Sequence, residues 1–517
     1  MAIIPMFIVK ALSSILVGSI GILSFSPQNY WPCSIFSFMG LQIISNGLSH
    51  YKSGIIGFLW GVGFFGTGIY WIYISIHSVN ILSFSNNVLL TIILIVYLSS
   101  YPALFCICLN YIYKNVSLIK FLILSPSLWH VIEYFRENIL TGFPWLELGY
   151  SQIDGPLKSI APILGIKGIT FILIIIANLF SLSILYRKYS YCIYAFIILM
   201  FSYALSTISW YSENNLRNIN IALIQTNTPE TLNWNIKNTF NVLNIYSKLI
   251  KKISKKNTII ILPESAIPNS LLNEKNILNT FKNILKRKNA SLVIGYIKSY
   301  YNKHKQISFC NAIAVLQKNK NNIYNYQIEY KKHHLVPFSE NIPYKKIKKI
   351  LSYIFNFAIL PFESGPYIQS PIKIKNFYFS ASICYEIIFG KQILDNFYPN
   401  VDFLLSLAND VWFKNSSEPW QHFQMARMRA LELGRPLIHS SNNGITAIIN
   451  ANGTINTILP QFKKLILEKN IKSTSGVTPY AKFGLIPIWT ITIICIIYSI
   501  NKLKIMTSKK NEKRIYS

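Results

Sequence analysis

Three short strings in this 517-residue chain each place an ionisable side chain directly after an apolar run. "IIILPESAIP" leads through Pro263 to Glu264; "EYKKHHLVPFSENIP" carries Lys332 and then Glu340; "FSASICYEIIFG" ends in Cys384, Tyr385 and Glu386. Taken singly, these read as a carboxylate at a turn, a solvated lysine and a core thiol. Taken together they meet a chemical requirement. A thiol with a free pKa of about 8.5 is mostly protonated at neutral pH, so a cysteine nucleophile needs a base and often a nearby cation. A carboxylate can take the proton, and an ammonium can stabilise the oxyanion of a tetrahedral intermediate. Glu264, Lys332 and Cys384 supply those roles without a histidine.

The elements that must hold these residues alternate between strand and helix. Short β-rich runs fall at 219–225, 258–262, 291–297, 309–316, 377–384, 402–407 and 445–449, with helical patterns at 236–253, 274–287 and 418–433. Strands separated by helices of that length imply a layered α/β domain rather than a sandwich or a bundle.

That domain is only part of the chain. The sequence is 51% hydrophobic and 13% charged, with a mean hydropathy of +0.34; soluble domains carry about a quarter charged residues, so long apolar segments are expected. Stretches able to cross a roughly 30 Å hydrocarbon core lie near 11–26, 30–46, 55–76, 88–113, 118–135, 162–186, 191–210 and 483–500. The division expected is therefore 1–210 with seven membrane helices, 211–480 as the soluble block, and 481–517 with the last helix and a basic tail. Lys10 abuts an apolar run without an A-x-A-like site, which reads as a retained span and not a cleaved signal peptide. If the spans alternate, Lys52, Lys114, Lys120, Arg187, Lys188 and the tail from Lys502 through Arg514 share one side. The loops 25–29 and 77–87 contain no Lys or Arg. The positive side is cytoplasmic, which places both termini there and the soluble block outside.

The net charge of +31 admits a polyanionic partner, but the lysine runs near Lys251, Lys286 and Lys345 sit in unrelated segments and read as compositional drift. Nucleic acid drops out once the block lies outside the cytoplasm. Cys33, Cys106, Cys108, Cys192 and Cys495 fall in apolar spans, leaving Cys310 and Cys384 in the block. No CxxC pair or Cys/His cluster has metal spacing, so a zinc site or disulfide framework is not expected. A Cys310–Cys384 bridge stays open, although the context of Cys384 favours a free thiol.

The order Glu264, Lys332, Cys384, with "HLVPFSE" and "ICYE", resembles the nitrilase superfamily, whose Glu-Lys-Cys triad acts on carbon–nitrogen bonds or acyl groups. Over nearly its full length the chain resembles a narrower family, the bacterial apolipoprotein N-acyltransferases, through "GFLWGVGFFGTGIYWIYISI", "LTGFPWLELGYSQIDGPLK" and "SLANDVWFKNSSEPWQHFQMARMRALELGRPLIHSSNNGITA". The resemblance implies a polytopic α-helical membrane domain of about eight transmembrane helices and an extracytoplasmic α/β nitrilase-like αββα sandwich. It implies a cell inner membrane location with the catalytic domain periplasmic. The implied reaction passes the sn-1 acyl chain of a phospholipid through a Cys384 thioester to the N-terminal amine of a diacylglyceryl-apolipoprotein, with Glu264 as proton acceptor, Lys332 at the oxyanion, and no metal or cofactor.

Glu340, Trp234, Tyr385 and Glu386 match family residues needed for activity. Glu340 would keep Lys332 charged and aimed, or anchor a loop; Trp234, after "QTNTPETLN", would shape an acyl pocket or simply pack. Trp412 and Phe413 in "NDVWF" are candidates for an apolar lip facing lipid. Trp145, beside Phe143 and Pro144, is a further lipid-contact candidate, in an outer loop expected under the catalytic domain. Two residues depart from the family pattern: Ser339 stands where glycine is usual in "PFGE", and His439 where arginine is common. A membrane-bound nitrilase-like amidohydrolase is the alternative enzyme. A transporter is disfavoured because the spans carry few ionisable residues beyond Glu133 and Arg136.

Overall fold

The computed structural model describes residues 6–78, 83–229, 236–267, 274–301, 307–319, 321–341 and 362–515. The chain divides into two compact units: Met1–Tyr73, Ser83–Ser209 and Lys482–Ser517 form one, and Ile74–Leu82 with Trp210–Ala481 the other.

The first unit is helical. Among the described residues five helices are long and apolar enough to cross a membrane: Met6–Ser24, Phe84–Ile112, Pro156–Tyr186, Ser190–Thr207 and Ile486–Ile505. The pair His50–Gly68 and Trp71–Ser78, bent by 51°, would make a sixth. The two other expected spans are also helical, one short and the other changing from π to α winding along its length. Pro32–Ser45 has 14 residues, a rise of about 21 Å against the roughly 30 Å of a hydrocarbon core. The segment 118–135 is divided between a π-helical turn, Ile119–Leu124, and the helix Ser125–Asn138.

Glycines let these helices approach closely, as small residues do where apolar contact alone does not drive association. A Cβ on Gly57 would strike the backbone of Pro102, and one on Gly63 that of Ile15. The unit also buries more charge than its sequence suggested. Lys167 bridges Glu147 at 2.6 Å and Glu137 at 3.0 Å, while the Arg136 guanidinium donates to the carbonyls of Phe143 and Trp145. Lys120, expected in a cytoplasmic loop, is only 1% exposed and donates to Asn110 Oδ1 at 2.8 Å. Its charge serves packing, and the loop asymmetry rests on the other basic residues.

The second unit is two six-stranded sheets face to face. The strands are β1 (Ser212–Gln225), β2 (Thr258–Ile261), β3 (Ser291–Tyr301), β4 (Ile307–Lys318), β5 (Tyr324–Lys331), β6 (Ile372–Ile374), β7 (Phe377–Ile383), β8 (Phe403–Ala408), β9 (Leu437–Ser441), β10 (Ala447–Ile449), β11 (Ile455–Ile458) and β12 (Leu465–Ser475). One sheet runs β12-β1-β2-β3-β4-β5 and the other β11-β10-β9-β8-β7-β6. Strand periodicity builds the layers. On β1, Ile219, Ile221 and Leu223 join Phe379, Phe403, Leu405 and Ile438 of the opposite sheet. The alternate residues Ala222 and Ile224 face Leu243, Tyr246 and Ile250 of the helix Ile236–Lys252 and Phe281 of the helix Glu274–Lys288. The helix Glu418–Leu433 packs on β9 of the second sheet. The result is the expected αββα sandwich.

Candidate functional site

β2 is four fully buried residues, Thr258 to Ile261, paired in parallel with β1 and β3. Chain leaving its end reaches Pro263 and Glu264. Gly295 on β3 makes room for it, since a Cβ there would collide with the Pro263 carbonyl oxygen. Antiparallel pairing of β4 with β5 sets Ala312 opposite Lys331, and the Lys332 N–H donates to the Asn311 carbonyl at 2.8 Å.

These strand ends bring four side chains together. Lys332 Nζ lies 3.3 Å from Glu264 Oε1 and 2.9 Å from Glu340 Oε2. Asn311 Nδ2 donates to the same two carboxylates, at 2.6 Å to Glu264 Oε1 and 3.3 Å to Glu340 Oε1. Glu264 and Lys332 are 6% and 1% exposed, so each interaction acts in a low-dielectric setting. Glu340 also accepts from the Val336 N–H at 2.8 Å, which closes the loop 336–341 on itself. Glu340 thus contacts the lysine and the loop backbone at once. The Ser339 departure is accommodated here. Among non-glycine residues of this loop the left-handed backbone falls on Phe338, at φ 64°, not on Ser339, so the conformation does not require glycine's freedom.

Cys384 follows β7, at the start of the 3₁₀ turn Cys384–Ile388, with φ 50°. A left-handed backbone costs a non-glycine residue about 1–2 kcal/mol, and the surroundings hold it there. Glu386 is the strut. Its buried carboxylate accepts from Ile383 N at 2.8 Å, His333 N at 2.7 Å, Tyr330 Oη at 2.9 Å and Gln392 Nε2 at 3.0 Å. One acid thus ties the Cys384 turn to the segment directly after Lys332. Tyr385 is buried, its ring 5.2 Å from Phe389.

The electrostatics assign the protons at rest. Burial, and then the Glu264 carboxylate, push the Cys384 thiol well up, with Lys332 pulling the other way; the resting sulfur carries its proton. Burial also raises Glu264, opposed chiefly by Lys332. Burial works against a charged Lys332, but Glu264 and Glu340 outweigh it and raise its pKa. The site is a protonated thiol, a carboxylate of elevated basicity and a fixed ammonium. That set can carry out base-assisted nucleophilic attack on an acyl carbon.

Other expected residues are placed as follows. Trp412 and Phe413 form the half-buried turn Val411–Phe413 in the same unit. Trp145 belongs to the helical unit, 2% exposed and 4.9 Å from the Trp71 ring. Trp234 lies outside the described residues. His439 is fully buried on β9 and 5.6 Å from the His422 ring; burial and His422 lower it to about 3, so it is a neutral imidazole. Asn311 is the site residue that sequence reasoning missed. Its signal was a lone amide inside the apolar run "FCNAIAVL". Among the described residues, one group could hold a metal ion, Asp410, Glu418 and His422, with ligand atoms within 4.8 Å of one another.

Residues 17–179 match the apolipoprotein N-acyltransferase N-terminal domain, and residues 220–480 match the carbon-nitrogen hydrolase domain. An apolipoprotein N-acyltransferase of Wigglesworthia glossinidia brevipalpis is 42% identical over 495 residues, covering 95% of this chain and 97% of its own. One of Pasteurella multocida is 37% identical over 500 residues, 94% of each chain. One of Photobacterium profundum is 34% identical over 495 residues, 94% of this chain and 95% of its own. A helical unit and a nitrilase-fold unit joined in one chain, aligned end to end with these relatives, make this protein a member of the apolipoprotein N-acyltransferase family.

Proposed function

We propose that the chain transfers the sn-1 acyl group of a phospholipid to the N-terminal amine of a diacylglyceryl-cysteine lipoprotein, with Glu264, Lys332 and Cys384 as the catalytic residues. The observation that carries the assignment is one buried ammonium, Lys332, held between the carboxylates of Glu264 and Glu340 and coupled electrostatically to the Cys384 thiol. In the first half-reaction Glu264 takes the thiol proton and Sγ attacks the ester carbonyl. Lys332 stabilises the oxyanion. Collapse breaks the ester C–O bond, the Glu264 proton goes to the leaving glycerol oxygen, and a lysophospholipid departs from a Cys384 thioester. In the second half-reaction the lipoprotein α-amine attacks that thioester and loses a proton to Glu264. The C–S bond then breaks, giving the amide and, with the proton returned, the thiol.

Trp412 and Phe413 are assigned to an apolar lip for acyl chains and Trp234 to the acyl pocket; Trp145, 2% exposed and packed on Trp71, is placed to support the helical unit rather than to touch lipid itself. The domains are assigned as 1–210, 211–480 and 481–517. The basic residues Lys52, Lys114, Arg187 and Lys188 and the tail favour an inner-membrane orientation with the catalytic unit periplasmic. Acceptor chemistry separates this reading from a hydrolase. Adding a diacylglyceryl-cysteine peptide to the acylated protein should convert the adduct to an N-acyl amide; release of free fatty acid at the same rate with and without peptide would point to water as the acceptor instead.

A further inference from the structure

The helix Glu418–Leu433 carries an acid and an imidazole one turn apart, Glu418 and His422, and both are buried. Asp410, from the loop after β8, completes a group whose polar atoms lie within 4.8 Å of one another. His422 Nε2 is 3.0 Å from the carbonyl oxygen of Cys384. A carbonyl only accepts, so Nε2 carries the hydrogen and the tautomer is fixed. Nδ1 then faces Asp410, 3.8 Å from Oδ1. Asp410 is itself held: Oδ2 accepts from Ser441 Oγ at 2.8 Å, and a Cβ on Gly444 would run into that oxygen.

The carbonyl that His422 grips belongs to the residue with φ 50°. Glu386 fixes the same turn from the preceding residue, through Ile383 N. The nucleophile's backbone is thus clamped on both sides of its Cα. Asp410 Oδ1 and Glu418 Oε2 accept no hydrogen bond from the described residues. Two buried carboxyls this close, each with one oxygen that accepts no hydrogen bond from the described residues, do not both stay ionised, so the group holds protons rather than a full double negative charge behind the sulfur. The charged and titratable groups facing His422 are Asp410, Glu418, Lys332, Cys384 and the neutral His439.

We infer that His422 is a positioning residue for Cys384: its Nε2–H holds the nucleophile's carbonyl so that Sγ is presented to Glu264 and Lys332 in one orientation. The inference rests on the acyl-transfer reading for the rate it affects, but thiol reactivity tests it independently. His422→Gln keeps an amide donor near the Nε2 position, whereas His422→Leu removes it and the shorter amide of His422→Asn does not reach the carbonyl.

The measurements are the rate of Cys384 alkylation by iodoacetamide across pH, followed on the Cys384 peptide by mass spectrometry, and the rate of acyl-thioester formation from phospholipid. The Leu and Asn variants should slow both by about tenfold or more with the lipid KM unchanged, and Gln should recover most of the loss. Wild-type rates in Leu or Asn would overturn the inference, as would a folded Gln variant no faster than they are. Stoichiometric divalent metal in protein purified without chelator would also overturn it, because Nδ1 would then be a ligand. If wild-type Cys384 alkylates but never acylates, the acyl-transfer reading falls and the alkylation rates alone decide the positioning role.

Discussion

Lys332 is the residue on which the site turns, because two carboxylates converge on it and the Asn311 amide donates to both of them. Their division of labour gives a pH dependence with a defined sign. The base role proposed for Glu264 requires the ionised form, and burial raises its pKa from the ordinary carboxylate value. Acylation should therefore fall as pH drops through that raised value, giving an acid limb at higher pH than an exposed glutamate would. Glu340 contributes to the rise by like-charge repulsion. Glu340→Gln should accordingly move the acid limb of the acylation rate to lower pH while reducing the plateau, because Lys332 loses one of its two holders. A limb that shifts upward would contradict this partition. At this scale Glu264 and Cys384 were legible in the sequence because each follows an apolar strand; the strand before Lys332 is half polar, and the family resemblance picked that lysine out. Asn311 was not legible, because its role depends on which strand ends meet, and the Asp410–His422 pair was not, because its partner is a main-chain carbonyl.

Elements explain why the triad can form from residues so far apart in sequence. β2 and β7 are buried on both faces, so they read as short continuous apolar runs, and the residues after them stood out. β5, β6, β9, β11 and β12 were missed. All but β9 are edge strands, where exposed positions such as Lys469 and Asn470 on β12 break the apolar pattern; an alternation that is half polar is weak evidence of a strand on its own. β9 is buried throughout, but its short run Leu437–Ser441 is half polar in sequence. Two element-level changes separate framework from chemistry. Glu386→Ala leaves five donors without their acceptor, and should lower unfolding stability by about 2–4 kcal/mol in a chemical denaturation experiment. Gly295→Ala should instead displace the Glu264 segment. Overpacking of this kind costs about 1–3 kcal/mol, and the acylation rate should fall further than stability alone explains; an unchanged rate in a folded variant would argue against this placement.

At the scale of the whole molecule, composition announced a membrane protein but overstated how simply it is built. Hydropathy finds apolar segments, yet Pro32–Ser45 is short, and Ser125–Asn138 buries Glu133 and Arg136. Lys120 looked like a loop charge and is an interior one. A charge that finds partners in a helical interior cannot be told from a loop charge by sequence position alone. The remaining basic residues still favour an orientation that can be measured. In spheroplasts, protease added from outside should digest the unit Trp210–Ala481 and spare an epitope on the basic tail after Lys502; the reverse pattern would invert the topology.

The central claim is covalent: a phospholipid acyl chain passes through Cys384. Purified protein incubated with a phospholipid of one defined sn-1 chain should gain the mass of that acyl group, as a hydroxylamine-labile adduct mapped to the Cys384 peptide and absent from Cys384→Ala and Glu264→Gln. A wild-type protein that gains no such mass, or a Cys384→Ala variant that gains it equally, would contradict the claim.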